Sequence, residues 1–229
     1  MEIAAMPLKE LVIDLSHWND VTDPSEVVAS GIVGVIYKCS EGTTYVDDSY
    51  ERAKQACNDL GLLFGAYHFL RPGKMHDQAE WFVENAGKID LYAADHEDDG
   101  VSLEDLKEFL QRVYDLTGKR PIIYSGHVLK NQMPGNVRDG FMALHRLWLA
   151  QYTTGTPSWP TATWPKWWLW QHTDEGSVPG IDGDVDMNYY DGSEDQLVEE
   201  WTGQEQEESD EIVVKIIVPQ GVKVIVEEE

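Results

Sequence analysis

Short apolar runs alternate with amphipathic stretches along most of this chain. Leu11 to Asp14, Gly31 to Lys38, Leu62 to Phe69, Leu91 to Asp95 and Pro121 to Tyr124 are rich in β-branched or aromatic residues and bounded by polar or glycine positions, the pattern of buried strands. Between them lie stretches with helical spacing. One opens at Asp23-Pro-Ser-Glu26 with a capping residue, a second runs from Asp47 to Leu60 and stops at Gly61, and a third covers Lys74 to Ala86. A fourth, Ser102 to Thr117, starts with Ser102 and Asp105 in capping-box spacing. Arg146 to Tyr152, Trp167 to Gln171 and Asp184 to Asn188 predict three more strands, now with fewer helices between them. Strand–helix alternation with short connections predicts an α/β chain with a mainly parallel sheet. Eight strands between Leu11 and Asn188 predict a closed, modified (β/α) TIM-like barrel, poorer in helices in its late part.

The end of the chain reads differently. Residues 194–229 hold 12 acidic and 2 basic positions, so the barrel is expected over residues 1–202, followed by an acidic linker over 203–211. Ile212 to Val218 and Val222 to Val226 then predict a β-hairpin tail around Pro219-Gln-Gly221. A lone hairpin is marginal in water. It is expected either to pack on the barrel or to pair with a second copy of the chain, giving a homo-oligomer.

Composition narrows the functional classes. A formal net charge of −25 sets nucleic acid aside as a partner, because phosphate contacts need a basic surface. No apolar run is long enough for a transmembrane helix, so no membrane partner is expected. The first ten residues lack a basic start and an apolar core, so no secretory signal is visible, and synthesis in the cytoplasm with action elsewhere after release is the expectation. Cys39 and Cys57 are expected to be free, and no Cys/His spacing suits zinc. No metal or cofactor is expected.

The chemistry concentrates at Leu91-Tyr-Ala-Ala-Asp95-His-Glu97-Asp-Asp99. On a strand Asp95 and Glu97 face the same way, roughly 6–7 Å apart. Two carboxyls held together raise at least one pKa, and glycosidic hydrolysis needs such a pair, one protonated and one ionised. The same residues also fit a strand that ends in a solvated acidic loop. In β/α barrels the chemistry sits at the C-terminal ends of the strands. Asp14, Lys38, His68, Asp95, Glu97, Tyr124, Tyr152, Gln171 and Asp186 all fall at or near such ends.

Eight short motifs occur in a defined order: Asp14-Leu-Ser-His-Trp-Asn19, Tyr37-Lys-Cys-Ser-Glu-Gly42, Gly65-Ala-Tyr-His-Phe69, Asp95-His-Glu97, Pro121-Ile-Ile-Tyr-Ser125, Trp148-Leu-Ala-Gln-Tyr152, Leu169-Trp-Gln171 and Val185-Asp-Met-Asn188. Together they resemble glycoside hydrolase family 25, the Chalaropsis-type lysozymes, often phage endolysins and bacterial autolysins. The resemblance covers about residues 10–192. It implies N-acetylmuramidase activity on bacterial peptidoglycan, with retention. It further implies Glu97 as general acid/base, Asp95 as its partner, and Asp14 and Asp186 as the other acidic site residues. Tyr67, Tyr124, Trp148 and Tyr152 are implied as groove lining, and His68, Lys38 and Gln171 as further substrate contacts. Crowding by Asp95 is expected to raise the pKa of Glu97. His96, unusual between the two acids, is expected to face away with a structural role. Three rival readings stand beside this one: a chitin-type glycosidase, a glycan-binding module that has lost catalysis, and a metal site at Asp95 to Asp99. The last lacks the glycine and spacing of a calcium loop.

Overall fold

A computed structural model describes residues 8–133 and 135–203. Its strands are Lys9–Leu15 (β1), Asp20–Val21 (β2), Gly34–Glu41 (β3), Tyr45–Val46 (β4), Leu63–Phe69 (β5), Leu91–Asp95 (β6), Ile122–Ser125 (β7), Leu147–Ala150 (β8), Leu169–Gly176 (β9), Ile181–Asp182 (β10) and Val185–Tyr190 (β11). Its helices are Pro24–Ala29 (α1), Tyr50–Leu60 (α2), Met75–Ala86 (α3), Leu103–Thr117 (α4), His127–Gln132 (α5) and Glu194–Thr202 (α6).

Eight strands form a closed barrel in the order β1-β11-β9-β8-β7-β6-β5-β3, and the parallel pairing of β1 with β3 completes the ring. β4 extends the edge of β3, and β2 pairs with β10 apart from the barrel. The sheet is mixed. β11 runs antiparallel to both β9 and β1. Parallel neighbours need a crossover of a dozen or more residues. The segment from Gly176 to Val185 is too short for one, so the chain turns back as a hairpin.

Alternation along the strands makes two cores. Val12, Ile36, Ala93, Ile122, Trp148 and Leu169 pack inside the barrel. Ile13, Val35, Ala66, Tyr92, Ile123 and Leu149 face outward into the helical layer. The helices begin and end where local chemistry favours it. Asp23 caps α1, Ser102 and Asp105 form the expected capping box on α4, and α2 and α4 stop at Gly61 and Gly118, both at φ 71°.

α5 and α6 were not visible in the apolar pattern. α6 has its own capping box, Ser193 with Gln196, and it places Trp201 across the N-terminal end of the barrel. The indole is buried and donates to the Phe64 carbonyl at 3.3 Å. It stands 3.1 Å from where a Cβ on Gly34 would be, so glycine there lets the plug seat. The hairpin expected over 212–229, most of the linker, and any pairing between chains through them fall outside the described residues.

Candidate active site

The inner-face positions at the C-terminal end of the barrel bring together Asp14 of β1, Tyr67 of β5, Asp95 of β6, Tyr124 of β7, Trp148 of β8 and Gln171 of β9. Asp186 joins them from the start of β11, because the reversed strand pairs Asp186 directly with Asp14. With Glu97, Tyr152 and Asp174 they line a cavity of about 390 Å³.

One hydrogen-bonded network fixes the floor. Asp14 accepts from Gln171 Nε2 at 3.0 Å on each oxygen and from Asn188 Nδ2 at 2.8 Å. Gln171 Oε1 accepts from the Tyr124 hydroxyl at 2.7 Å and the Tyr152 hydroxyl at 2.9 Å. Asn188 Oδ1 accepts from the Trp148 indole, whose ring lies 4.4 Å from that of Tyr124. Asp95 is treated differently. It is buried, and its Oδ1 has no hydrogen-bond partner among the described residues.

Four carboxyls here are displaced upward from their ordinary range. Burial is the largest cause for each. For Asp14 the charge of Asp186 adds to burial, while hydrogen bonds from Asn188 and Gln171 oppose it. For Asp95 the charge of Glu97 adds and that of Lys38 opposes. Glu97 is raised by burial, while the nearby His127 and a hydrogen bond with Asp95 hold it down. Removal from water thus raises both members of the pair, and their mutual repulsion adds to it at Asp95. Asp186 is pushed up to about 6 by burial and the charge of Asp174. Asp95 and Glu97 titrate as a pair and retain a proton to higher pH than isolated carboxyls.

Two expected contacts stand elsewhere. His68 is on the outer face of β5, fully buried, with Nδ1 2.8 Å from Ser40 Oγ and Nε2 3.3 Å from Gln78 Oε1. Its ring stacks on Phe109 of α4 at 5.2 Å, and burial lowers its pKa to about 4. It is a core residue because successive strand residues face opposite ways and Tyr67 takes the inner position. Lys38 lies inward but outside the cavity lining, its Nζ 2.8 Å from Glu41 Oε2. An irregularity in the ladder between Lys38 and Ser40 accompanies this turn toward Glu41, which Arg71 also holds at 2.7 Å. His96 faces outward and meets Gln132 at 3.0 Å, the expected structural role. Cys39 and Cys57 are free and buried.

Two further residues belong to the site, Asn188 and Asp174. Asn188 lies two positions after Asp186, and strand alternation puts it on the same face, a signal present in the motif itself. Asp174 carries no motif; it reaches the cavity because β9 continues past Gln171 to Gly176.

Residues 13–181 match the model of the family described as Glycosyl hydrolases family 25. The chain belongs to that family. Lysozyme M1 of Streptomyces globisporus is 29% identical over 205 residues, covering 81% of this chain and 69% of that protein. The bacterial lysozyme from Streptomyces coelicolor superposes with a TM-score of 0.76 at 27% identity, covering 83% of this chain and 96% of that one. A muramidase from Trichobolus zukalii gives 0.73 at 28% identity, with 83% and 98% covered. This family 25 member is accordingly a glycoside hydrolase of the lysozyme type. The family match includes every cavity-lining residue except Asp186, which follows it on the last barrel strand.

Proposed function

We propose that this glycosidase hydrolyses the β-1,4 bond from N-acetylmuramic acid to N-acetylglucosamine in bacterial peptidoglycan, with retention at the sugar carbon. The observation that carries the reading is the pair Asp95 and Glu97, the first buried and the second reaching solvent, lining one cavity with a second acidic pair, Asp14 and Asp186. Glu97 protonates the departing glycosidic oxygen as the bond to the sugar carbon breaks. The substrate's own acetamido oxygen forms the new bond to that carbon. Asp95 accepts the acetamido N–H on its unpartnered Oδ1 and stabilises the cationic ring that results. Water then attacks, gives its proton to Glu97, and regenerates the sugar. Asp14 and Asp186 supply negative potential across the cavity, while Tyr67, Tyr124, Trp148 and Tyr152 shape the sugar subsite.

Substrate assistance is favoured over direct attack by Asp95. Asp95 ends β6 and Glu97 follows two positions later, so both carboxyls enter the cavity from the same strand end, whereas a nucleophile and an acid act on opposite faces of the sugar. The test is a digest of purified Gram-positive peptidoglycan, with new reducing ends identified by borohydride reduction and mass spectrometry. New N-acetylmuramic acid ends, lost with Glu97→Gln, support the reading. New N-acetylglucosamine ends overturn the bond assignment, and a trapped covalent glycosyl–Asp95 adduct overturns the assisted route.

The proposal extends to setting. The chain acts as a phage endolysin, made in the host cytoplasm and given access to the wall when the membrane is permeabilised. Expression in a sensitive cell should be tolerated until a membrane-permeabilising agent is added, and lysis without it overturns this part.

A further inference from the structure

Trp18 is 84% exposed, the most exposed large apolar side chain among the described residues. It follows Asp14 on the loop at the catalytic end of β1, so it stands on the face that opens to substrate. Single exposed apolar residues are common on surfaces and usually need no explanation. Here the loop around it is built. Ser16 N donates to Asn19 Oδ1 at 2.9 Å, Asn19 N donates back to the Ser16 carbonyl at 3.0 Å, and Asn19 Nδ2 reaches the Asp184 carbonyl at 3.2 Å. His17 is pinned twice to the buried Asp47, through its backbone N–H at 3.0 Å and its Nδ1 at 2.8 Å. The Trp18 ring rests on that imidazole at 4.5 Å, and the exposed ring of Tyr45 flanks it at 6.3 Å.

An indole held this way contributes little to the core, yet the loop that carries it is anchored on both sides and its ring rests against His17 before any ligand arrives. The strand order adds a direction. Tyr45 and Asp47 belong to the chain just after β3, and β3 lies opposite β8 around the barrel. Tyr152, the half-exposed ring after β8, lines the cavity on that far side. Two exposed aromatic groups thus mark opposite ends of a line across the mouth. Exposed Asp20, Asp48, Asp182 and Asp184 make the surroundings acidic, which disfavours an anionic ring and leaves the uncharged N-acetylglucosamine of the strand as the partner suited to stacking on an indole.

We propose that Trp18, seated on His17, is a stacking platform for a pyranose ring of the glycan strand, remote from the cleaved bond. The proposal deepens the peptidoglycan reading. Binding there holds long strands without touching the reacting atoms, so it acts on KM and leaves kcat.

The test uses the full chain. Glu97→Gln and Glu97→Gln/Trp18→Ala are compared for binding to glycan strands freed of their stem peptides, and the single Trp18→Ala variant is assayed for cleavage of long strands and of a tetrasaccharide. Loss of one stacked ring should weaken long-strand binding and raise the long-strand KM by about tenfold, with kcat held and a smaller effect on the tetrasaccharide. Trp18→Phe should recover most of the loss. Because the ring is exposed, thermal unfolding of Trp18→Ala should match the parent. Equal binding by the two Glu97→Gln proteins overturns the platform. A loss seen only when stem peptides are present overturns the sugar assignment. If the wild type cleaves nothing, the muramidase reading fails, while the binding comparison still judges Trp18.

Discussion

Gln171 presents its amide N–H group to both carboxylate oxygens of Asp14, at 3.0 Å each, while its carbonyl oxygen accepts from Tyr124 and Tyr152. One amide therefore couples a buried acid to two aromatic walls of the cavity. Gln171→Ala removes the donors that stabilise ionised Asp14 and frees both tyrosine hydroxyls. A hydrogen bond to a charged group is worth about 1.5–3 kcal/mol, so kcat/KM should fall by roughly 10- to 150-fold. Gln171→Glu should do worse, because it replaces a donor with another carboxyl facing Asp14. Steady-state kinetics on one defined glycan checks both, and a Gln171→Ala enzyme at parental activity would remove the amide from the mechanism.

Glu97 owes its raised pKa to burial, and the charge of nearby His127 opposes that rise. The alkaline limb of the kcat/KM profile should therefore lie above the ordinary carboxyl range, where the Asp95–Glu97 pair loses its retained proton. A permanent cation at that position, in His127→Lys, adds a stabiliser of ionised Glu97 at every pH of the profile. The limb should then move to lower pH. A limb that stays in place, or moves up, contradicts the assignment of that limb to Glu97. Glu97→Gln should lower kcat by about 10²- to 10⁴-fold at every pH, the usual contribution of a positioned acid.

Asp186 is displaced in the same direction, from 3.8 to about 6. A carboxyl whose pKa is higher in the folded chain contributes stability that is present below 3.8 and lost as pH rises through about 6. Asp186→Asn cannot ionise and escapes that loss. Two pKa units correspond to about 3 kcal/mol, and solvent screening at a group open to the cavity reduces the expected gain to about 1–2 kcal/mol at pH 7. Urea unfolding at pH 4 and pH 7 should show the variant's advantage appearing only at the higher pH, together with reduced activity. An advantage confined to pH 4 would reverse the sign of the shift.

Much of the barrel was legible because its inward and outward positions both follow a period of two. The apolar run Leu91 to Asp95 coincides with β6, and Asp95, Glu97, Asp14 and Asp186 lie at or near the ends of such runs. What stayed hidden depended on contacts distant in sequence. The reversal of β11 turns on the length of the Gly176 to Val185 connection, and nothing in the apolar pattern encodes strand direction. α6 was masked by the acidity of its surroundings, although its function is to lay Trp201 against Gly34 and Gly65 across the barrel. Asp174 was invisible because it belongs to no motif. His68 misleads for the opposite reason: it sits within a motif beside Tyr67, and adjacency in sequence means opposite faces on a strand.

His68 gives the sharpest check of that last point. Its imidazole packs against both Phe82 and Phe109 and bridges Ser40 to Gln78, away from the cavity. His68→Ala leaves a void among aromatic rings and the buried Ser40 hydroxyl without its partner, while Gln78 Oε1 keeps the Arg71 backbone N–H, which should cost about 2–4 kcal/mol. Below the melting transition, kcat/KM should stay within about twofold of the parent, since catalytic rate is governed by groups that meet the substrate. The pH dependence runs opposite to that of Asp186. A histidine whose pKa falls from 6.5 to about 4 on folding gives stability that is full above 6.5 and is lost as pH drops toward 4, because the unfolded chain takes up the proton first. The stability gap between parent and variant should therefore narrow from pH 7 to pH 4, with the parent imidazole still neutral by NMR at pH 5. A raised KM with stability intact would instead return His68 to the substrate groove.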